Sequence, residues 1–479
     1  MNRRLRQAGN RTFGALHVRN FRLYFVGQVV SVSGTWMQTV ALGLLILSRQ
    51  LHGNGLDVGV ATALQYLPVL VLGTWGGVVA DRVDKRRLLV VTQAAAGLLA
   101  LVLGLLVGLH VVRLWELFLL AALLGMVTLF TNPTRQAFVS EMVGRELLPN
   151  AVSLNSVLMN SARVIGPAIG GVLIYTTGFA ACFYVNAGSY VAVIVALLLM
   201  RTADLYRAER VVRARGQVRQ GLSYAWRTPG LRDPLLAMAV IGTLAFNFTT
   251  TLPLLATYTF HGGAGTYSSF TVAMGVGSVI GGLVVAHRSR PSTALLGATG
   301  IGFGVMMVLV GLVPTVSLTL AALFAMGAFS LAFIATANAT VQLTADPSMR
   351  GRVMSLYAIA FVGSAPIGAP LMGWISDTAS PRAAILVGAV ATVVASMLLA
   401  RPLRHGAALA HGDALAHGDA LAHVDALAHV DALAHGDALA RSVAIAHVDT
   451  GAARAPGPAP ADLVGGAWEA ERSADAAAS

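Results

Sequence analysis

Between residues 22 and 400 this chain is divided into apolar stretches long enough to cross a lipid bilayer, and no other feature narrows its possible folds so far. A helix needs roughly 20 apolar residues to traverse the hydrocarbon. Leu88 to His110 and Ala180 to Met200 each meet that length without one Asp, Glu, Lys or Arg. Their glycines would weaken soluble helices, but membrane helices tolerate them. Twelve spans are expected, at about 22–48, 56–80, 88–110, 115–138, 151–176 and 179–200, then 235–258, 267–287, 292–313, 317–341, 353–376 and 382–400. Composition agrees: 56% of residues are hydrophobic and only 11% charged, against about a quarter charged in soluble domains.

The formal net charge of +12 raises the question of nucleic acid. The arginines, however, sit in short connections between apolar runs, where they set topology. With the N-terminus in the cytoplasm, 26 Lys and Arg residues of the connections fall on that side and 3 on the other. Both termini are therefore expected in the cytoplasm of a multi-pass inner (plasma) membrane protein. The basic segment is too long, and the first span too polar, for a cleaved signal. Cys182 is the single cysteine, so no intramolecular disulfide forms and no metal-site spacing arises.

Segments follow from the same pattern: a cytoplasmic N-terminal segment at 1–21, six spans over 22–200, a basic linker at 201–234, six more over 235–400, and a tail at 401–479. The halves echo one another at an offset of 202 residues: Ser153-Leu154 matches Ser355-Leu356, Gly166 matches Gly368, and Gly171 matches Gly373. An all-α membrane protein of twelve transmembrane helices in two pseudo-symmetric six-helix bundles is expected, with a substrate site between them.

The segment GGVVADRVDKRRLL at 76–89 carries a Gly, three residues, Asp-Arg and a basic cluster, with Gly77, Asp81, Arg82, Arg86 and Arg87 on the pattern. It resembles the signature loop of the major facilitator superfamily, although Asp84 stands where that family usually has Gly. The resemblance implies a cytoplasmic gating loop, with Asp81 facing the helix that begins near Val353 and, beside it, Arg135. Residues 21–42, 132–171 and 350–357 resemble the exporter branch that includes macrolide efflux proteins and enterobactin exporters. Gly166-Pro167 with Gly170-Gly171 resembles the fifth-span motif of antiporters. What this implies is efflux of hydrophobic or amphiphilic small molecules, drugs or siderophores, coupled to proton entry.

A transport cavity needs inward polar groups. Gln28, Ser31, Thr35 and Gln38 share one face of the first span, and Ser156, Asn160 and Arg163 one face of the fifth. Asn132, Asn247 and Asn338 lie in the fourth, seventh and tenth spans, which line the central cavity in the superfamily. The candidate cavity set is Gln28, Thr35, Gln38, Asn132, Asn160, Arg163, Asn247 and Asn338; interhelical hydrogen bonding is the alternative for each amide. Arg163 has no mate in the repeat, since Ala365 occupies the equivalent place. An arginine at mid-bilayer costs about 2.5–3.5 kcal/mol on insertion scales, so it must face protein or water. Either a carbonyl or amide of a neighbouring helix, or an anionic or carbonyl-bearing substrate, would satisfy it.

No Asp or Glu sits at the centre of a span; Glu141 and Asp377, at span ends, are the nearest candidates for proton coupling. Gly275-Val276-Gly277 and Gly300–Gly304 lie inside apolar spans without a strand before them, so they are packing glycines rather than dinucleotide loops. No Walker loop is present. The tail repeats ALAHGD or ALAHVD, with histidines at 405, 411, 417, 423, 429 and 435. A spacing of six spreads them over three helix faces, which suits disorder better than a metal site.

The partners expected are a small-molecule substrate, protons and the lipid bilayer, with no nucleic acid, no cofactor or metal, no catalytic centre and a monomeric chain. Import by the same fold, or a transport-inactive sensor with a metal-binding tail, stays open as an alternative.

Overall fold

Within hydrocarbon a backbone has only itself to bond to, so spanning segments are forced into helices or closed barrels. Among the described residues, 13–206, 217–287 and 293–399 of the computed structural model, every regular element is helical. They belong to one compact unit, Met1–His405. The tail repeat lies outside the described residues.

The order is α1 (Arg19–Ile46), α2 (Gly55–Arg82), α3 (Lys85–Gly108), a helical run Leu114–Thr177, and α6 (Phe179–Leu198). Gly144, at φ 71°, breaks the run into α4 (114–143) and α5 (145–177). Then come α7 (Gln217–Arg227), α8 (Pro229–Leu244), α9 (Phe248–Leu254) with a π turn at Leu255–Thr259, α10 (Ala264–His287), α11 (Thr293–Leu312) and α12 (Val316–Thr344). The last are α13 (Arg350–Val362), α14 (Ala365–Thr378) and α15 (Pro381–Leu399). Eleven stretches are long and apolar enough to cross a membrane. One of them is the 64-residue run, which at 1.5 Å per residue is about three bilayer cores long. Broken at Gly144 it is long enough for two crossings, so the described residues hold about eleven to twelve membrane-capable helices.

Local chemistry sets the ends. Asn54 and Asp57 close a capping box on α2, their side chains accepting each other's backbone N–H groups at 3.0 and 2.9 Å. Asp84 accepts from the Arg87 N–H at 2.9 Å and caps α3. Pro229 opens α8 within the expected 201–234 linker and sits in the helix's first turn, where its missing N–H costs nothing. Serine and threonine hydroxyls in the spans fold back onto carbonyls four residues earlier, as Thr131 does on Val127 at 2.8 Å, which removes their polar cost in lipid. Side chains such as Val71, Leu98 and Leu283 point outward, as a lipid-facing surface requires.

Small residues set helix spacing. A β-carbon on Gly277 would lie 1.8 Å from the Phe324 carbonyl oxygen, and one on Gly281 would lie 2.1 Å from that of Ala328, so α10 and α12 touch backbone to backbone. Glycines equivalent in the repeat make equivalent contacts. Gly166 of α5 packs on Ser33 and Trp36 of α1, and Gly368 of α14 packs on Thr243 and Asn247 of the α8–α9 span. Gly171 meets Ser268 of α10, while Gly373 meets Gly55 of α2.

Candidate substrate cavity

Two spans are discontinuous at the same depth. Between α8 and α9 the helix lapses at Ala245–Asn247, and between α13 and α14 at Gly363–Ser364. A break leaves backbone groups without helical partners. Asn247 answers for one of them: its side-chain amide donates to the Thr243 carbonyl at 2.7 Å, the group its own N–H would bond in an unbroken helix. Ser364 turns its hydroxyl onto the Phe361 carbonyl at 2.6 Å.

A cavity of about 340 Å³ opens beside these breaks, within the range of small-molecule sites. Its wall from the first six spans includes Trp36, Thr62, Tyr66, Asn160 and Arg163. Its wall from the later spans is dominated by Phe246, Phe248 and Phe361, joined by Asn247. Phe246 is the hub of an aromatic cluster, its ring centroid 5.0 Å from Phe303, 5.2 Å from Phe361 and 5.8 Å from Phe248. Such tilted and edge-on pairs add to the gain from burial alone and hold the wall rigid.

Arg163 occupies the opposite wall. Its guanidinium lies 5.0 Å from the centre of the Trp36 ring, a cation–π contact. Its Nε is buried with no hydrogen-bond partner. Three features of α5 put it there. Gly166 stands one turn on, on the same face, and seats α5 against Trp36. Gly170 repeats the contact on Met37. Pro167, buried in the helix, removes the N–H that would bond the Arg163 carbonyl and loosens the helix at that turn.

Of the eight residues expected in the cavity, Asn160, Arg163 and Asn247 line it. The others do not, for identifiable reasons. The polar face of α1 turns toward α6, because Gly27 and Gly34 admit that helix closely. Gln38 accepts from the Asn186 amide at 2.6 Å, and Thr35 meets the Tyr190 hydroxyl at 3.4 Å. Gln28 is buried among the packed helices. Asn132 is exposed, 3.5 Å from Arg135, and Asn338 accepts from Gln342 one turn along α12. Gln38 and Thr35 bond across to α6 and Asn338 bonds within α12, leaving Trp36 and Val40, on the other face of α1, at the cavity.

The signature loop is also bonded locally. Arg86 donates to the last carbonyls of α6, Leu197 at 2.6 Å and Leu198 at 3.0 Å. Lys85 pairs with Glu141, which ties Glu141 to structure. Gly77 and Arg82 lie in the final turns of α2, and Arg87 is exposed in the first turn of α3. The Asp81 side chain lies outside the described residues. At the opposite end of the spans Asp377, at the end of α14, accepts from the Gly55 and Leu56 N–H groups at 2.7 Å each, so it caps α2 from another span. Trp36, Tyr66 and the phenylalanine wall were not singled out from sequence. The Phe246-Asn247-Phe248 and Gly363-Ser364-Ala365-Pro366 strings, with helix-breaking residues in mid-span, were the available signal.

The model of the transmembrane secretion effector family matches residues 10–415, most of the chain. The chain belongs to that family. It is therefore a major facilitator transporter and a multi-pass membrane protein. The multidrug efflux pump Tap of Mycolicibacterium fortuitum is 26% identical over 366 residues, covering 74% of this chain and 88% of the pump. The enterobactin exporter EntS of Citrobacter koseri is 25% identical over 397 residues, covering 79% and 90%. Among solved structures, the nucleoside transporter NupG aligns with a TM-score of 0.65 at 9% identity, covering 79% of this chain and 98% of its own. An inward-facing bacterial homologue of the lysosomal transporter Spinster aligns at 0.62 and 11% identity, covering 79% and 95%. These likenesses show the fold.

Proposed function

We propose that this transporter exports hydrophobic or amphiphilic small molecules, drug-like or siderophore-like, across the plasma membrane by alternating access driven by proton entry. Two six-helix halves, 22–200 and 235–400, carry the motion, with both termini and the linker on the cytoplasmic side. The observation that carries the reading is the aromatic-lined cavity at two broken helices, walled by residues from both halves. Broken helices at mid-span are where secondary transporters bind and bend. The matched glycine contacts, α5 on α1 and α10, and the α13–α14 span on α8–α9 and α2, support rocking of one half against the other. Relatives that are efflux pumps and siderophore exporters support the outward direction.

The test is accumulation of fluorescent amphiphiles in an efflux-deficient host, with and without a proton uncoupler. Expression lowers accumulation, and the uncoupler restores it. Accumulation raised by expression would make the chain an importer, and efflux indifferent to the uncoupler would remove protons from the cycle.

A further inference from the structure

The cavity is electrically one-sided. Among the described residues that line it, Arg163 alone is charged, and none is Asp, Glu or His. The guanidinium has an aromatic neighbour in Trp36 but no carboxylate, and its Nε has no acceptor. Within the protein, then, a fixed positive charge stands in a low-dielectric site with part of its hydrogen-bonding capacity unused. Such a charge is costly unless a counter-charge arrives, and with no anion among the described lining residues the counter-charge is the ligand's. The far wall makes a different demand. Phe246, Phe248 and Phe361 offer ring faces and edges and no charged group, so they favour a flat apolar body. Asn160 and Asn247 add neutral polar groups at the margins.

We propose that the cavity selects amphiphilic anions with an aromatic body, such as aryl carboxylates, sulfonates or ionised phenols, the anionic head at Arg163 beside Trp36 and the ring against Phe246, Phe248 and Phe361. The inference rests on the export reading for its direction but not for its selectivity. Organic cations of the same shape are disfavoured twice, by repulsion from Arg163 and by the lack of any carboxylate to receive them. Arg163 is a ligand-contacting residue on this account, and Ala365, its counterpart in the repeat, is why the charge is not duplicated.

Three fluorescent probes with one dimethylaminonaphthalene body separate the possibilities: dansylglycine as anion, dansylamide as neutral, and a dansyl quaternary ammonium as cation. Binding to the purified full-length chain is followed by energy transfer from tryptophan, and transport in proteoliposomes by loss of probe from the lumen. The wild-type chain binds dansylglycine at least tenfold more tightly than either other probe. Arg163→Gln erases that preference while dansylamide binding persists, Arg163→Lys keeps it, and Arg163→Glu reverses it toward the cation. Equal or tighter binding of the cation by the wild-type chain overturns the proposal whether or not any variant folds, and so does an anion preference that survives Arg163→Gln. Arg163-dependent anion binding without proton-driven movement leaves the selectivity standing and refutes export instead.

Discussion

Asp377 makes the most exacting test of how this chain opens. Its two carboxylate oxygens take the Gly55 and Leu56 N–H groups, each at 2.7 Å, while α14 lies backbone to backbone on α2 through Gly59, Gly373 and Gly55. On the topology proposed above this contact closes the outer side. Asp377→Asn keeps one acceptor oxygen but removes the negative charge from the positive end of α2 and one of the two bonds. The first loss is about 0.3–1 kcal/mol at an exposed helix terminus, and the second about 0.5–1.5 kcal/mol. Asp377 is solvent-exposed, so the low halves of those ranges apply best, giving about 0.8–1.7 kcal/mol in total. With about 1.4 kcal/mol per decade, the outward-open population rises about 4- to 16-fold. Leu254 reports it: the side chain is fully buried and lies 3.0 Å from where a Gly55 β-carbon would stand. In a Cys182→Ser background, Leu254→Cys is labelled in whole cells by a membrane-impermeant maleimide. Asp377→Asn speeds labelling by the factor above, and Asp377→Ala by more. A rate unchanged in both variants would mean the cap does not hold the outer side shut.

Four further outcomes are expected. Gly368→Leu places a side chain against the Thr243 carbonyl, 2.0 Å from the position of a β-carbon; the folded protein, followed by fluorescence-detected size exclusion on heating, is lost or melts at markedly lower temperature, whereas Gly265→Ala, which meets nothing within 4 Å, leaves the melt unchanged. Lys85→Met strands the half-buried Glu141 carboxylate, costing about 1–3 kcal/mol, and adding Glu141→Gln recovers most of that loss in the same melt. Phe246→Ala removes the hub of the aromatic wall and weakens binding of an aromatic substrate by about 10- to 100-fold, as loss of a large, partly buried ring implies, in a direct fluorescence titration. A chain ending at residue 400 exports at the wild-type rate; a fall in export at equal membrane level would give the histidine repeat a regulatory role.

How much of this was legible in the sequence depends on which physical signal each feature sends. Lipid imposes a single, loud requirement, a long apolar run, and the membrane-capable helices follow from it; only the unbroken helicity across Gly144 conceals one boundary. The glycines at 166, 171, 368 and 373 were legible as a repeat, and their contacts explain why small residues had to stand there. Which face of a span meets a cavity was harder. On α1 the polar side chains of Gln28, Thr35 and Gln38 look like a transport face, yet Gly27 and Gly34 lie on the same side and draw α6 in, so Gln38 and Thr35 bond across to Asn186 and Tyr190. Asn338 finds Gln342 within its own helix. A polar residue in lipid needs a partner of some kind, and spacing alone does not say whether that partner is a neighbouring helix or a ligand. The helix breaks at 245–247 and 363–364 were written in breaker residues, but an apolar window averages over them.

The repeat itself shows where function resides. Under the proposed alternating access, a scaffold that uses Gly166 and Gly368, Gly171 and Gly373 alike has a symmetric way to open toward either side, because matching contacts are made by each repeat. Chemistry at the centre gains nothing from symmetry, since a substrate with two unlike ends needs two unlike walls. The chain departs from its own repeat at that point: Arg163 faces the cavity from one half and Ala365 from the other, while the phenylalanines gather around the later break. On the alternating-access reading proposed above, shared residues in the repeat serve the movement, and the positions where the repeats disagree inside the cavity serve recognition.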